Sequence, residues 1–491
     1  MFRLFLTVLI AFSISHAHAD EQLISLFPLE QYDQTLDTFI KPGSPDYDKP
    51  LLSAEVQKQH LALFHKKYFL PWDPDYVNHI LLQESPDDIK TIEKEVIRNF
   101  SNSNKTGSGI GYGENFRPYA DHWIRSIKEN INPDELTHLR FQKNNRAITI
   151  DNLHARSLPT EEVHFYSHQL AGQGFPFDNL QMSSIWAGTP VYIIAESKDH
   201  AWSLILTPDY IAWVKSSGLA RVSDTFITQW ETQAKKQLAA ITLTQTSVLD
   251  ETGHYLFSAY VGSVFPAVEI DHTIKLMVPI ADENHQAVIK TAIVAKEAAS
   301  LVPLTLTPHH LASIMKTLLN RPYGWGNLYF YNDCSAELKN LFTPFAIWLP
   351  RHSAEQVLVG KMVDLSSATA IERLAYLMHF GKKLITLVYI GNHVFLYIGN
   401  HPNQATHSEI AITYQNVWGL KPNPTLPSRR AVIGQSVLFP LLLQYPEDTT
   451  LQSQADYKYF QVSFLDELPP DATASSIKFD LHTYFESDLF K

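Results

Sequence analysis

The chain holds a single cysteine, Cys334, inside the run R-P-Y-G-W-G-N-L-Y-F-Y-N-D-C-S-A-E at residues 321–337. A loop rich in glycine and aromatic residues precedes it, and Leu338, Leu341 and Phe342 follow at helical spacing. Asp333 is suited to cap that helix. Cys334 then falls in the first turn, where the macrodipole and unpaired N–H groups favour a thiolate. The competing reading is a small buried hydrophobe, but the polar neighbours on both sides favour a nucleophile. Such a thiol needs a base, and the base needs a third group to fix its ring. His393 opens a strand directly after the Gly391-Asn392 turn, and Gln415 in the next strand can offer a side-chain oxygen to the imidazole. His407, closer to His393 in sequence, competes for that third role.

These residues must be positioned by a large framework. Hydrophobic residues make up 45% of the 491 positions and charged residues 18%, the balance of a folded chain of three or four domains. A net charge of −12 argues against general binding of nucleic acid. Residues 1–19 read as a secretory signal peptide, with Arg3, an apolar run over 4–14, and Ala17-His18-Ala19 as the cleavage site. No cysteine follows that site to carry a lipid anchor, and no later segment is apolar enough to cross a bilayer. The expected product is soluble and periplasmic. Export sharpens the reading of Cys334, because a lone exported thiol forms no internal disulfide and is open to oxidation unless it is used.

Residues 20 to about 131 carry helical periodicity, clearest in S-A-E-V-Q-K-Q-H-L-A-L-F-H-K-K-Y-F and D-D-I-K-T-I-E-K-E-V-I-R-N-F. His60 and His65 are spaced wrongly for one metal-binding face and read as solvated. The glycine-rich residues 107–113 lack the strand and the Gly-Lys-Ser/Thr ending of a phosphate loop, and read as a flexible surface loop. Near Arg146 the rhythm changes to short alternating runs, expected to form two tandem SH3-like β-barrels. A helix starting at Thr307-Pro308 opens the last, α+β domain. The expected division is a signal peptide at 1–19, a helical N-terminal domain at 20–135, barrels at 136–232 and 233–303, and a catalytic domain at 304–491.

The order Cys, His, polar residue is that of papain-like enzymes. Y-G-W-G…D-C-S, N-H-V-F-L-Y-I-G and Q-N-V-W-G-L together resemble the NlpC-type cell-wall cysteine peptidases. The likeness extends over nearly the whole chain through G-Y-G-E-N-F-R-P, R-S-L-P-T, F-P-F-D-N-L-Q, G-T-P-V and F-A-I-W-L-P-R-H-S. These stretches match the subgroup with an N-terminal stabilising domain and two bacterial SH3-type domains. The resemblance implies a papain-like C-terminal domain with Cys334 as nucleophile, His393 as base, and Gln415 where many relatives carry His. It further implies that Asp333 takes a free amino terminus, Ser335 a carboxylate, and that the Tyr323 hydroxyl lies near the thiol. The first barrel is expected to close one end of the groove, with Asp178 and Tyr210 as candidates to complete an amine pocket.

The activity implied is hydrolysis of peptidoglycan stem peptides or muropeptides at the γ-D-glutamyl–diaminopimelate bond, in peptides with a free N-terminal L-Ala. A monomer would suffice, with no metal or organic cofactor and no stable membrane insertion. Two alternatives stand beside it: a non-catalytic peptidoglycan-binding protein, and an amidase or acyltransferase on the same fold.

Overall fold

Ser53, Asp73 and Asp88 each accept the backbone N–H three residues on, and so begin the helices Ala54–Phe69, Pro74–Leu81 and Ile89–Phe100. A computed structural model describes residues 24–85, 88–170, 172–270, 273–402, 408–422 and 430–469. The signal peptide expected at 1–19 and His407 lie outside the described residues. Val96, Ile97 and Phe100 share one core with Ile124 and Ile127 of the helix Asp121–Ile131 and with Leu204 and Trp213 of the next domain. The Trp72 indole N–H donates to the Ala147 carbonyl at 2.9 Å, so the helical domain is docked on the β domain that follows.

Two expectations for this region are corrected. His60 is buried rather than solvated, with Nε2 2.9 Å from the Leu465 carbonyl, and burial lowers its pKa so that the ring stays neutral. The glycine-rich loop is pinned rather than loose. Asn102 pairs with Gly111 in both directions, at 2.8 and 2.7 Å, and Tyr112 exchanges backbone hydrogen bonds with Phe165. A Cβ at Gly111 would lie 1.9 Å from His164 Nε2, so only glycine fits that approach.

Among the described residues three seven-stranded sheets form. The first two are antiparallel SH3-like β domains. The first remains open, with Gln181–Ile185 as an edge strand. The helix Asp224–Lys236 buries Phe226 and Trp230 in the core of the second.

The C-terminal domain stacks helices α1 (Pro308–Leu318) and α2 (Cys334–Phe342) on the third sheet. Its central strands are β1 (Thr386–Tyr389), β2 (Val394–Pro402), β3 (Glu409–Leu420) and β4 (Arg430–Pro440). Leu338, Leu341 and Phe342 of α2 are fully buried against Leu387, Leu396 and Tyr414, each such side chain contributing about 1.5–3 kcal/mol. Ile24–Leu26 pairs parallel with β4, adding a strand that the helical reading of the N-terminal region did not contain. Among the described residues no helix is long and apolar enough to cross a membrane.

Candidate active site

Asp333 caps α2 as expected, its Oδ1 accepting the Ala336 N–H at 3.0 Å. Behind the cap sits Glu337, a fully buried carboxylate that accepts from Asn332 Nδ2 (2.8 Å), Ser436 Oγ (2.6 Å) and the Tyr414 hydroxyl. Asn416 Nδ2 in turn donates to the Asn332 carbonyl at 2.9 Å. Tyr414 and Asn416 flank Gln415 on β3, so one buried network ties the turn before Cys334 to the strand that carries the third candidate residue. Four donors around a desolvated carboxylate hold that geometry far more firmly than a single contact could.

The ring of His393 is oriented by a chain that fixes its tautomer. Thr413 Oγ1 donates to the Phe439 carbonyl at 2.8 Å, so it must accept from Gln415 Nε2 at 2.9 Å. The Gln415 amide oxygen therefore faces His393 Nε2 at 2.8 Å and requires a proton there. Nδ1 is left as the acceptor nitrogen of the neutral imidazole. Gln454 locks the same amide from the far side, donating to Gln415 Oε1 at 2.9 Å and accepting from Nε2 at 3.2 Å. Sequence reasoning missed Gln454, which lies 39 residues from its partner in the short 3-10 helix Gln454–Asp456, too brief for a periodic signal.

Cys334 is only 7% exposed. The backbone N–H groups of Val394 and Ser335 are directed at its sulfur, and His393 is the residue before Val394. Burial, reinforced by the neighbouring Asp333, pushes the thiol up to about 12, although those two N–H groups and Arg351 pull the other way. Burial also pushes His393 down to about 4 against the opposing pull of the Gln415 hydrogen bond. Taken separately, each shift favours the uncharged form of its group, so desolvation opposes the thiolate that the helix start favours. Burial, with Cys334 and Asp333 beside it, holds the Tyr323 hydroxyl well above its ordinary value, so it remains an O–H donor.

A cleft of about 120 Å3 opens at the thiol, lined by Tyr323, Trp325 and Asn392 on the catalytic side. Asn179, Gln181 and Met182 of the first β domain form the opposing wall. Gly326 makes that approach possible: its φ is 59°, and a Cβ would meet the Gln181 carbonyl oxygen at 2.4 Å. Across the junction Arg351 spreads a fork that sequence reasoning also left without a role. Its Nη atoms reach Asp333 Oδ2 (2.5 Å) and Oδ1 (3.2 Å), Ser335 Oγ (2.7 Å) and the Met182 carbonyl (3.2 Å), while Nε donates to Ser183 Oγ at 2.8 Å. The signal was present in F-A-I-W-L-P-R-H-S, an arginine that directly follows an apolar run.

The structure brings Cys334, His393, Gln415, Tyr323, Asp333 and Ser335 together, but not the two barrel candidates. Asp178 is fully buried, 2.9 Å from Arg156 Nη2, and its Oδ1 takes the backbone N–H groups of His164 and Leu180. It shapes a loop and does not line the cleft. Tyr210 lines a separate cavity behind α2, beside Asp209, Lys339 and Trp348. Tyr210 also meets Ser183 and Arg351, but neither candidate lines the cleft at the thiol.

Comparison with known proteins bears on each part of this architecture. The family model described as the NLPC_P60 stabilising domain, N term, matches residues 4–135. An SH3 domain of SH3b1 type matches residues 164–215, and an SH3 domain of SH3b2 type matches residues 223–271. Among solved structures the chain is similar to a novel NlpC/P60 endopeptidase from Photobacterium damselae subsp. piscicida. The two share 28% identity over 89% of this chain and 98% of that one, with a TM-score of 0.77. An NlpC/P60 family protein from Bacillus cereus aligns at 14% identity over 64% of this chain and 98% of its own, with a TM-score of 0.41. NlpC2 from Trichomonas vaginalis aligns at 11% identity over 61% of this chain and 97% of its own, with a TM-score of 0.22. No curated protein matches the chain in sequence.

The protonation states give a direct expectation. Iodoacetamide should alkylate Cys334 more slowly at pH 7 than a free cysteine of pKa about 8.5, with the rate still climbing above pH 9. Rapid alkylation at pH 6 with a flat profile up to pH 8 would restore the thiolate.

Proposed function

Because the chain belongs to the NlpC/P60 subgroup that joins a stabilising domain and two bacterial SH3-type domains to a cysteine-peptidase domain, we propose that it hydrolyses peptidoglycan stem peptides at the γ-D-glutamyl–diaminopimelate bond. The observation that carries this reading is the 2.8 Å His393–Gln415 hydrogen bond, which leaves Nδ1 as a base beside the only thiol of the chain. A non-catalytic wall binder would have no use for a base so tightly oriented. Export through residues 1–19 would bring the enzyme to its substrate.

In the proposed reaction the Cys334 sulfur attacks the γ-carbonyl carbon while its proton passes to His393 Nδ1. Backbone N–H groups at the start of α2 and the Tyr323 hydroxyl hold the oxyanion. Collapse breaks the C–N bond, and His393 returns the proton to the leaving amine. Water then attacks the thioester with His393 again as base, releasing the peptide carboxylate and the thiol. Gln415 keeps the ring in the reactive tautomer throughout.

The same geometry supports a reading of the substrate's amine end that differs from the free amino terminus implied by the resemblance. Asp333 already accepts from Ala336 N, Gly326 N, Ser335 Oγ and both Nη atoms of Arg351. A carboxylate has about four lone-pair sites, so none is left for a substrate ammonium. Its charge is also balanced by Arg351. Asp178 is spent on Arg156, and the neighbouring His352 is pushed by burial down to about 4 and stays neutral. The cleft thus offers a neutral surface, suited to an acylated amine such as the amide that joins L-Ala to the muramyl lactyl group.

We expect kcat/KM for a muramyl-tripeptide to equal or exceed that for the free tripeptide, with product masses marking cleavage two residues from the L-Ala end. A free tripeptide favoured by about 100-fold would instead require a dedicated ammonium site. Replacing Gln415 by Ala should lower kcat on the order of 10- to 100-fold with KM nearly unchanged, below the full contribution of a positioned base. An unaltered kcat would transfer the orienting role to another residue such as His407.

A further inference from the structure

We propose that an aromatic groove beside the cleft binds the N-acetylated sugar strand to which the scissile stem peptide is attached. The inference rests on the stem-peptide reading above and extends it to the glycan. The groove, of about 400 Å3, is formed where the pinned 111–118 hairpin, the loop after Phe165 and the catalytic loop meet. Three of its rings face solvent: Phe116 is 77% exposed, Phe175 66% and Tyr329 63%. Exposed aromatic residues converging on one concave surface mark a binding site rather than scattered surface apolarity. Glu114 and Ser167 supply a carboxylate and a hydroxyl on the same lining.

Backbone strain accompanies the display. Phe116 and Tyr329 have φ of 61° and 57°, a left-handed conformation unfavourable for bulky side chains. The neighbouring Phe330, at φ 61°, stacks on His154 at 4.5 Å, so the loop half-buries one ring while presenting the one before it. Flat apolar faces edged by hydrogen-bonding groups match a pyranose, whose C–H face stacks on a ring while its hydroxyl and acetamido groups point outward. A purely apolar partner would leave Glu114 desolvated without a donor.

Position selects the occupant. Gly326 lines the catalytic cleft and donates to Asp333 at 3.1 Å, while Leu328 and Tyr329 of the same loop line the groove. Two residues of chain span at most about 7 Å. Phe175 belongs to the groove, and Phe177 packs on Trp325 of the cleft at 5.3 Å. A stem peptide cut two residues from its sugar calls for a glycan site within a short chain length of the cleft, and the groove lies within that reach of the cleft lining. The G-Y-G-E-N-F-R-P stretch thereby gains a role: it builds one wall of this groove.

The test compares the otherwise native protein with its Phe116→Ser/Phe175→Ser/Tyr329→Ser variant, whose changed side chains are exposed. On glycan-linked stem peptides kcat/KM should fall about tenfold or more, with no change on the free tripeptide. In the Cys334→Ala background, calorimetry with an N-acetylglucosamine tetramer should show binding that the triple substitution removes. An equal loss on both peptide substrates, or no tetramer binding, overturns the glycan site. If no stem peptide is cleaved at all, the hydrolase reading falls, while tetramer binding still decides the groove independently.

Discussion

Arg351 and Asp333 form a buried bidentate pair at the point where the nucleophile helix, the catalytic loop and the edge strand of the first β domain meet. Desolvating two charges is costly, and this pair is stabilised only because every N–H of the guanidinium finds an oxygen. Removing one partner would leave an uncompensated charge at a cost of about 3–5 kcal/mol. The consequence is architectural. The first β domain cannot shift without breaking the hydrogen bonds that Arg351 donates to Ser183 and Met182, and Arg351 cannot move without releasing the cap of the helix that carries Cys334. The wall of the cleft and the nucleophile are thus one rigid assembly.

In the proposed reading that assembly also bears on which substrate chemistry fits. A carboxylate beside the thiol would attract an amine if it stood alone; saturated by Arg351 and three further donors, it instead serves the helix. The cleft is left with neutral donors beside a desolvated thiol and imidazole. The tautomer imposed by Gln415, Thr413 and Gln454 leaves Nδ1 as the nitrogen that can accept a proton. Glu337 performs the matching service on the helix side, holding Asn332 and the strand on either side of Gln415 in fixed relation.

Local chemistry was the legible part of the sequence. The capped helix start at Asp333, the Gly391-Asn392 turn before His393, and the alternating strands after Arg146 all depend on neighbours within a few residues. The SH3-like domains and the α+β catalytic domain followed from those signals. What escaped was long-range pairing: Gln454 against Gln415, Arg351 against Asp333, and Ile24–Leu26 against β4 join segments from 18 to over 400 residues apart. Asp178 and Tyr210 had suitable chemistry but were already committed to other surroundings, and His60 had found a carbonyl partner in the catalytic domain. The glycine-rich loop looked loose because the close approach of His164, which demands Gly111, involves a side chain more than 50 residues away.

Covalent chemistry at Cys334 is the claim on which the functional account stands. Acid quenching of the protein during turnover of a muramyl-tripeptide, followed by intact-mass and peptide-mapping measurements, reads it directly. The account predicts a transient thioester on Cys334 whose added mass is that of the muramyl-L-Ala-γ-D-glutamyl acyl group, absent in Cys334→Ala. Continued hydrolysis by Cys334→Ala, or an acyl adduct on a different residue, would contradict it.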